Sequence, residues 1–139
     1  MSSGSDNVER ARSMLDDYRR GDIEALLVKM DPEVEVFSAP ELPNGGTFRG
    51  REGYLEWIAP WLEAWEIFEV KEDSIEAIGA DCVVMSVHQT GRGRGSGIEV
   101  EMPAFYMAEF RDGLATRFHF YGEREKAIQA AEAANAEAG

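Results

Sequence analysis

The chain of 139 residues holds a single cysteine, Cys82, so it cannot close an internal disulfide. One thiol fits a reducing compartment. Basic residues are scarce as well: 14 Lys and Arg stand against 27 Asp and Glu, a net charge of −13. A field of that sign repels phosphate backbones, and nucleic-acid binding needs a basic footprint, so that class is excluded. The one dense basic stretch, Arg92-Gly-Arg94, reads as a solvated hairpin turn. No apolar run approaches the ~20 residues of a membrane span. The polar opening from Met1 to Asn7 lacks the apolar centre of a signal peptide. Together these absences predict a cytoplasmic protein with no nucleic-acid or membrane partner, its acidity serving solubility. Nor is there a phosphate loop, a Ser-His-Asp order or a nucleotide fingerprint. Gly91 to Gly97 is glycine-rich, but no lysine or helix follows it, so it reads as a flexible hairpin. No cofactor is expected.

What is present fills one domain, residues 1–139, with no repeat or linker. A chain of this length buries roughly two-thirds of its unfolded surface and needs no staple. Ser5 or Asp6 can cap a first helix, in which Val8, Ala11, Leu15 and Tyr18 recur at helical spacing, and Gly21 ends it. Asp22 caps a second helix with Ile23, Leu26, Leu27 and Met30 on one side, stopped by Asp31-Pro32. A strand from Val34 to Ser38 follows, then a loop from Pro40 to Gly46, dense in turn residues. A third helix from about Arg51 to Phe68 carries the stripe Tyr54, Trp57, Ile58, Trp61, Trp65 and Phe68, with Pro60 expected to kink or interrupt it. Four strands are expected next, Glu69 to Ile78, Asp81 to Thr90, Gly97 to Arg111 and Leu114 to Tyr121. A last helix starts near Glu123 and trails into an alanine-rich tail, expected to fray. Strands segregated from helices give an α+β class. A strongly curved sheet wrapped around the long helix leaves a cavity between them.

Three segments, in this order and spacing, resemble the SnoaL-like branch of the nuclear transport factor 2-like superfamily, which includes ketosteroid isomerase-like proteins. They are Asp31-Pro-Glu-Val-Glu-Val-Phe37, Thr47-Phe-Arg-Gly-Arg-Glu-Gly53, and the stretch from Asp112-Gly-Leu-Ala-Thr-Arg-Phe-His-Phe-Tyr-Gly122 to Ala127. The resemblance covers about Val8 to Ala134 and implies the cone-shaped, cystatin-like fold, with a pocket for a small molecule. The superfamily contains isomerases, polyketide cyclases, dehydratases, epoxide hydrolases and binding domains, so fold does not decide function. The isomerases carry a general-base aspartate before a proline at the end of the first strand. Here that stretch is Phe37-Ser38-Ala39-Pro40, without a carboxylate. The position matched to the isomerases' second acid holds Tyr106. The Asp-Arg-Asp trio of the epoxide hydrolases also has no counterpart around Arg117.

Alternation along the strands names candidate site residues. On Gly97 to Arg111 the even positions, among them Met102, Ala104, Tyr106 and Ala108, form the drier face and should look inward. A tight turn at Asp112-Gly113 then sets Tyr106 opposite His119, Ala108 opposite Arg117 and Ala104 opposite Tyr121, on one face. The resemblance puts the same last-strand positions in the pocket. A one-residue slip would reverse the assignment. This register leaves Phe105, Met107, Phe118 and Phe120 as an apolar patch on the other face, which predicts a homodimer through that face; the alternative is a patch covered by the chain's own tail, Ala127 to Ala138.

His119 is the candidate general base, with the alternative of a hydrogen-bonded wall residue. Tyr106 and Tyr121 are candidate donors to a ligand oxygen, or buried tyrosines that have found a partner. Arg117 can orient a carboxylate or phenolate, or pair with Glu109 or Glu123. Ser38, Tyr54, Trp57, Ile58, Trp61, Met102, Ala104 and Ala108 are expected to line the pocket. Trp65 and Cys82 read as core. A metal site joining His88 and His119 is rejected, because about 20 Å of strand separates them. Two functions remain open: a cofactor-free isomerase- or cyclase-like enzyme using His119, and a binding domain for the same kind of molecule. A protein-interaction module using the phenylalanine face is a third.

Overall fold

The computed structural model describes residues 4–42 and 45–138. Helix α1 (Gly4–Arg20) and short helix α2 (Ile23–Val28) lead into strand β1 (Met30–Ser38). Strand β2 (Gly46–Arg49) and helix α3 (Gly50–Ala64) follow. Strands β3 (Trp65–Ile78), β4 (Cys82–Gly93), β5 (Glu99–Arg111) and β6 (Leu114–Tyr121) then form a meander, and helix α4 (Arg124–Ala138) closes the chain. The six strands make one curved sheet in the order β2-β1-β6-β5-β4-β3. Among the described residues only β1 and β6 run parallel. The α+β class and cone-like architecture expected from the sequence are observed. Among the described residues, no helix is long and apolar enough to cross a membrane.

The inner face of the sheet and helices α1 and α3 share the larger core. Ala11, Met14 and Leu15 from α1, Tyr54 and Ile58 from α3, and Val83, Met85 and Val87 from β4 meet there. Asp22 caps α2 as expected, its carboxylate accepting from the Ala25 N–H at 3.1 Å. One buried charge holds the α1–α2 corner: Asp17 accepts from Lys29 Nζ at 2.5 Å and from Arg20 at 2.5 Å. A buried carboxylate needs such partners, because unpaired it would be strongly destabilising.

Several boundaries differ from the sequence reading, each for a tertiary reason. Helix α3 ends at Ala64, and Trp65 to Phe68, expected in the helix, open β3 instead. Trp65 pairs with Gly93 and Phe68 with Gly91, so sheet pairing outweighs helical periodicity there. Gly91 is needed at that place, since a Cβ would sit 2.6 Å from the Trp65 ring. Pro60 lies inside a continuous α3. Strand β1 starts earlier than expected, at Met30, with a register irregularity between Met30 and Glu35 that takes up Pro32. Strand β2, read as loop and turn, pairs antiparallel with the end of β1. Pro43 and Asn44 of the expected loop lie outside the described residues.

The alanine-rich tail is a docked helix. Ala127, Ala131 and Ala134 are fully buried against Cys82, Val84 and Met107 on the outer face of the sheet. Alanine is the strongest helix former and loses no side-chain entropy on burial. Its small size also lets the helix lie close to the strands. Asn135 donates to the Ile78 carbonyl at 2.6 Å, and Arg117 to Glu137 at 2.7 Å. At the β3–β4 turn Gly79 has φ +72, and a Cβ there would fall 2.5 Å from the Asn135 amide. The apolar patch expected as a docking face is therefore not one surface. Phe105 and Met107 pack with α4, while Phe118 and Phe120 belong to the inner core.

Candidate functional site

The cause of that separation is one residue. Asp112 (φ 53) and Gly113 (φ 82) form the tight turn between β5 and β6. Two positive φ angles match the twist of the flanking strands. Arg111 pairs with Leu114 and Phe110 with Ala115, the expected register. Glu109 then pairs with Arg117, so Thr116 is an extra residue on β6. Its hydroxyl donates to the Glu109 carboxylate at 2.7 Å, which anchors the bulge. A bulge of this kind moves every later side chain to the opposite face. Beyond it, Tyr106 faces Phe120, Ala108 faces Phe118, Met107 faces His119 and Phe105 faces Tyr121.

The inner face encloses a cavity of about 100 Å³ between the sheet and helices α1 and α3. Of the expected lining residues, Ser38, Tyr54, Trp57, Ile58, Trp61, Met102 and Ala104 all border it, as does Tyr106. Ala108 is buried in the same core without bordering the cavity. Phe118 and Phe120, expected outside, form part of the wall, with the Trp57 ring stacked on Phe120 at 4.0 Å between centroids. Gln89 also borders it and is buried, and its amide donates to the Tyr106 hydroxyl oxygen. The sequence reading missed Gln89, although period-two alternation places it on one face of β4 with Met85 and Val87. It is the polar position in that apolar series.

No Asp, Glu, His, Lys, Arg or Cys borders this cavity among the described residues. Its polar groups are neutral hydroxyls, an amide and indoles. Burial pushes the Tyr54 and Tyr106 phenols well up from their ordinary range, and the Gln89 hydrogen bond offsets this only in part at Tyr106. Burial acts the same way on Tyr18, where a hydrogen bond with Trp61 partly offsets it. These tyrosines stay protonated at neutral pH and so are not available as bases. The Trp57 indole N–H is buried with no acceptor. The Trp65 indole N–H and the Ser86 hydroxyl, away from the cavity, are buried without a partner in the same way.

His119 and Arg117, expected in the pocket, lie on the outer face. His119 Nε2 is 2.8 Å from Glu35 on β1, and Nδ1 is 3.3 Å from the Tyr121 hydroxyl. These partners assign the proton to Nε2, donated to Glu35, and leave Nδ1 to accept from Tyr121. Tyr121 sits at the end of β6, so it touches the cavity while its ring packs on Phe37 at 5.8 Å. Arg117 pairs with Glu137 at 2.7 Å and lies 3.8 Å from Glu109. The group ties β1, β5, β6 and α4 together.

Burial lowers the pKa of His119 below its ordinary 6.5, more than the Glu35 hydrogen bond and charge raise it, with nearby Arg117 lowering it further. The folded state therefore favours neutral imidazole, while the unfolded chain takes up a proton near pH 6.5. Where the unfolded state binds more protons, stability falls as pH falls. Acidification from pH 7.5 to 5.5 should therefore destabilise the wild type more than His119→Gln. Urea midpoints at both pH values measure this; equal losses in the two proteins would show that His119 does not contribute.

Elsewhere, a wider concavity of about 1,060 Å³ is bordered by Arg19, Lys71, Asp73, His88 and Glu101. It is an open surface of mixed charge. His88 there bonds Glu101 at 2.5 Å. No group of three or more His, Cys, Asp or Glu among the described residues could hold a metal ion. The smaller, apolar cavity is the better ligand site, since such sites are concave and mostly apolar with a few placed polar groups.

The sequence model of the SnoaL-like domain family matches residues 11–118. The chain belongs to that family. No curated protein sequence matches it. Among solved structures, TerC co-crystallised with polyporic acid superimposes with a TM-score of 0.73 at 23% identity, covering 91% of this chain and 98% of that one. A nuclear transport factor 2-like protein from Burkholderia pseudomallei K96243 gives 0.74 at 17% identity, covering 88% and 95%. A Catenulispora acidiphila DSM 44928 protein of ketosteroid isomerase-like fold, in complex with trimethylamine, gives 0.70 at 18%, covering 88% and 91%. At such identities the likeness concerns the fold of the SnoaL-like domain and leaves its chemistry to its own residues.

Proposed function

We propose that this SnoaL-like domain binds a small, largely apolar molecule in the inner cavity without transforming it. The observation that carries this reading is a cavity walled by aromatic and aliphatic side chains in which no described group exchanges protons near neutral pH. Cofactor-free isomerase or cyclase chemistry needs a base within reach of the substrate. His119, the candidate base, faces away from the cavity and is engaged by Glu35 and Tyr121. Size points to a modest ligand: a dry cavity of roughly 150 Å³ holds benzene, and this one is about 100 Å³. A single ring would therefore need the wall side chains to move apart. TerC and the Catenulispora protein, of the same fold, were both crystallised with small molecules. The single free and buried Cys82 suits a reducing, cytoplasmic setting.

Thermal-shift and calorimetric titrations with one-ring compounds test the reading. A ligand at 100 times its Kd adds about 2.7 kcal/mol, a rise in Tm on the order of 5–10 °C for a domain of this size. Ala104→Leu fills the cavity from β5 and should abolish the shift in a folded protein. Binding that survives Ala104→Leu unchanged would move the site elsewhere, and no binding across the panel would refute the proposal.

A further inference from the structure

We infer that the wide concavity beside helix α1 is the vestibule of the inner cavity, and that the Tyr18 side chain is the door between them, setting how fast ligands enter and leave. The inference rests on the binding proposed above and supplies its route. Three observations carry it. First, Tyr18 is the one described residue that borders both spaces, the inner cavity of about 100 Å³ and the surface concavity of about 1,060 Å³. The partition there is one side chain thick. Second, the side chain is held more lightly than its backbone. The Trp61 indole N–H donates to the Tyr18 hydroxyl oxygen, and the ring meets Phe68 edge-on at 6.1 Å between centroids. The backbone around it is pinned: the Tyr18 carbonyl accepts from the Gly21 N–H at 3.0 Å, and neighbouring Arg19 donates to the Val70 carbonyl of β3 at 2.9 Å. Rotation between staggered side-chain positions therefore moves the ring without moving the helix. Third, the concavity has an apolar floor that leads to the door. Leu62, Phe68 and Val70 lie there inside a rim that includes Arg20, Lys71 and Glu101. Leu62 is 40% exposed, a first place for an apolar molecule to leave water.

The competing route runs past Leu42, which also borders the cavity and is partly exposed. That side is fastened more firmly. The Leu42 N–H donates to the Ala39 carbonyl at 3.0 Å, and the Ala39 N–H to the Phe120 carbonyl at 3.0 Å. Adjacent Glu41 takes Lys126 Nζ at 3.4 Å and the Gly122 backbone N–H. The Leu42 side chain is seated on Gly122, where an added Cβ would lie 3.8 Å from its Cδ2. Opening there disturbs backbone hydrogen bonds and an ion pair together. Opening at Tyr18 gives up one hydrogen bond and the edge of one ring, so the lower barrier lies at α1.

Fluorobenzene is the probe. Its ¹⁹F signal separates free from bound molecules, exchange spectroscopy gives the association and dissociation rates, and titration gives Kd. The signal from the inner cavity is the one that Ala104→Leu removes. Tyr18→Ala should raise both rates at least about tenfold while Kd changes by less than about threefold, because opening a door lowers the barrier in both directions. Tyr18→Phe keeps the ring but takes away the acceptor for Trp61, so both rates should rise about fivefold, the worth of one hydrogen bond. If Tyr18→Ala does not fold, Tyr18→Phe carries the test. Leu42→Ala and Met102→Ala, at other part-exposed points of the wall, should leave the association rate within about twofold of the wild type. Three results would each overturn the inference and leave the binding proposal standing. They are unchanged rates in the Tyr18 variants, faster association in Leu42→Ala or Met102→Ala but not at Tyr18, and faster dissociation from Tyr18→Ala matched by an equal loss of affinity, which would make Tyr18 a wall only. No binding of fluorobenzene to the wild type would overturn the binding proposal itself, and the route with it.

Discussion

Tyr54→Ala should lower the stability of the domain by about 3–5 kcal/mol, the range for deleting a large buried ring. Tyr54 is only 2% exposed and sits where helix α3 meets the sheet. Its ring packs on Trp57 at 5.8 Å and on Phe118 at 6.5 Å, and it borders the cavity. Removing it joins a new void to an existing one, and close packing on several sides limits how far the walls can relax. Against a total of roughly 5–15 kcal/mol for a domain, the loss is large. A fall in Tm of about 10–15 °C is expected. Urea denaturation followed by circular dichroism reads the effect. A loss under about 1.5 kcal/mol would mean that α3 settles onto the sheet and that Tyr54 is not a central support. The enlarged void should also bind benzene-sized compounds that raise the variant's midpoint, which separates a cavity effect from general damage to α3.

Ala131→Glu should detach helix α4. Ala131 is fully buried with Cys82, Val84 and Met107, and the arginines whose charge reaches Cys82, Arg117 and Arg111, are already paired with Glu137 and Glu109. A carboxylate there is either buried unpaired or carried out to water with its helix. The first costs several kcal/mol, so the second should prevail. A free helix of 15 residues is marginal even when rich in alanine. The α4 amides should therefore lose hydrogen-exchange protection while β4 and β5 keep theirs. The exposed apolar strip should also promote self-association, visible by light scattering. Cys82 supplies a sharper readout. It is fully buried, and burial together with Glu109 and Asp81 raises its thiol pKa to about 12. A thiol so placed resists modification at pH 8, whereas in the variant it should react rapidly with a disulfide reagent. Retained protection and an unreactive Cys82 would show that the helix tolerates the charge and that its packing is looser than the buried alanines imply.

The sequence carried more of the fold than of the site because the two depend on different kinds of information. Helix α1 is visible in the spacing of Ala11, Leu15 and Tyr18, and α2 in its Asp22 cap, because both signals are local. Strands β3 to β6 show through alternation and through turns such as Asp112-Gly113. Strand β2 was not visible. Four residues with two glycine neighbours carry little pattern, and their pairing depends on β1 lying alongside. The end of α3 was misjudged because Trp65 and Phe68 continue a helical stripe while pairing with β4. Here a non-local partner outweighs a local period.

The candidate site divides along the same line. The aromatic stripe of α3 and the even residues of β5 face the cavity, because each can be oriented by its own periodicity. The face of β6 could not be oriented that way. Its alternation is apolar and polar in a regular series, but which set turns inward depends on the pairing with β5. One extra residue, Thr116, held by Glu109, reverses it. That bulge sends Phe118 and Phe120 into the cavity wall and His119 and Arg117 to the outer face, and so takes the candidate base out of reach.

By itself, then, the sequence determined the α+β class, the cone of sheet around α3, the family, and a cavity floor of aromatic and small residues. All of these follow from residue types repeating at helical or strand periods. Only the tertiary structure decided which side of the sheet each β6 residue faces, that α4 covers the outer face, and that no described Asp, Glu, His, Lys, Arg or Cys borders the cavity. Each of those depends on contacts between segments distant in the chain, where a shift of one residue exchanges inside for outside.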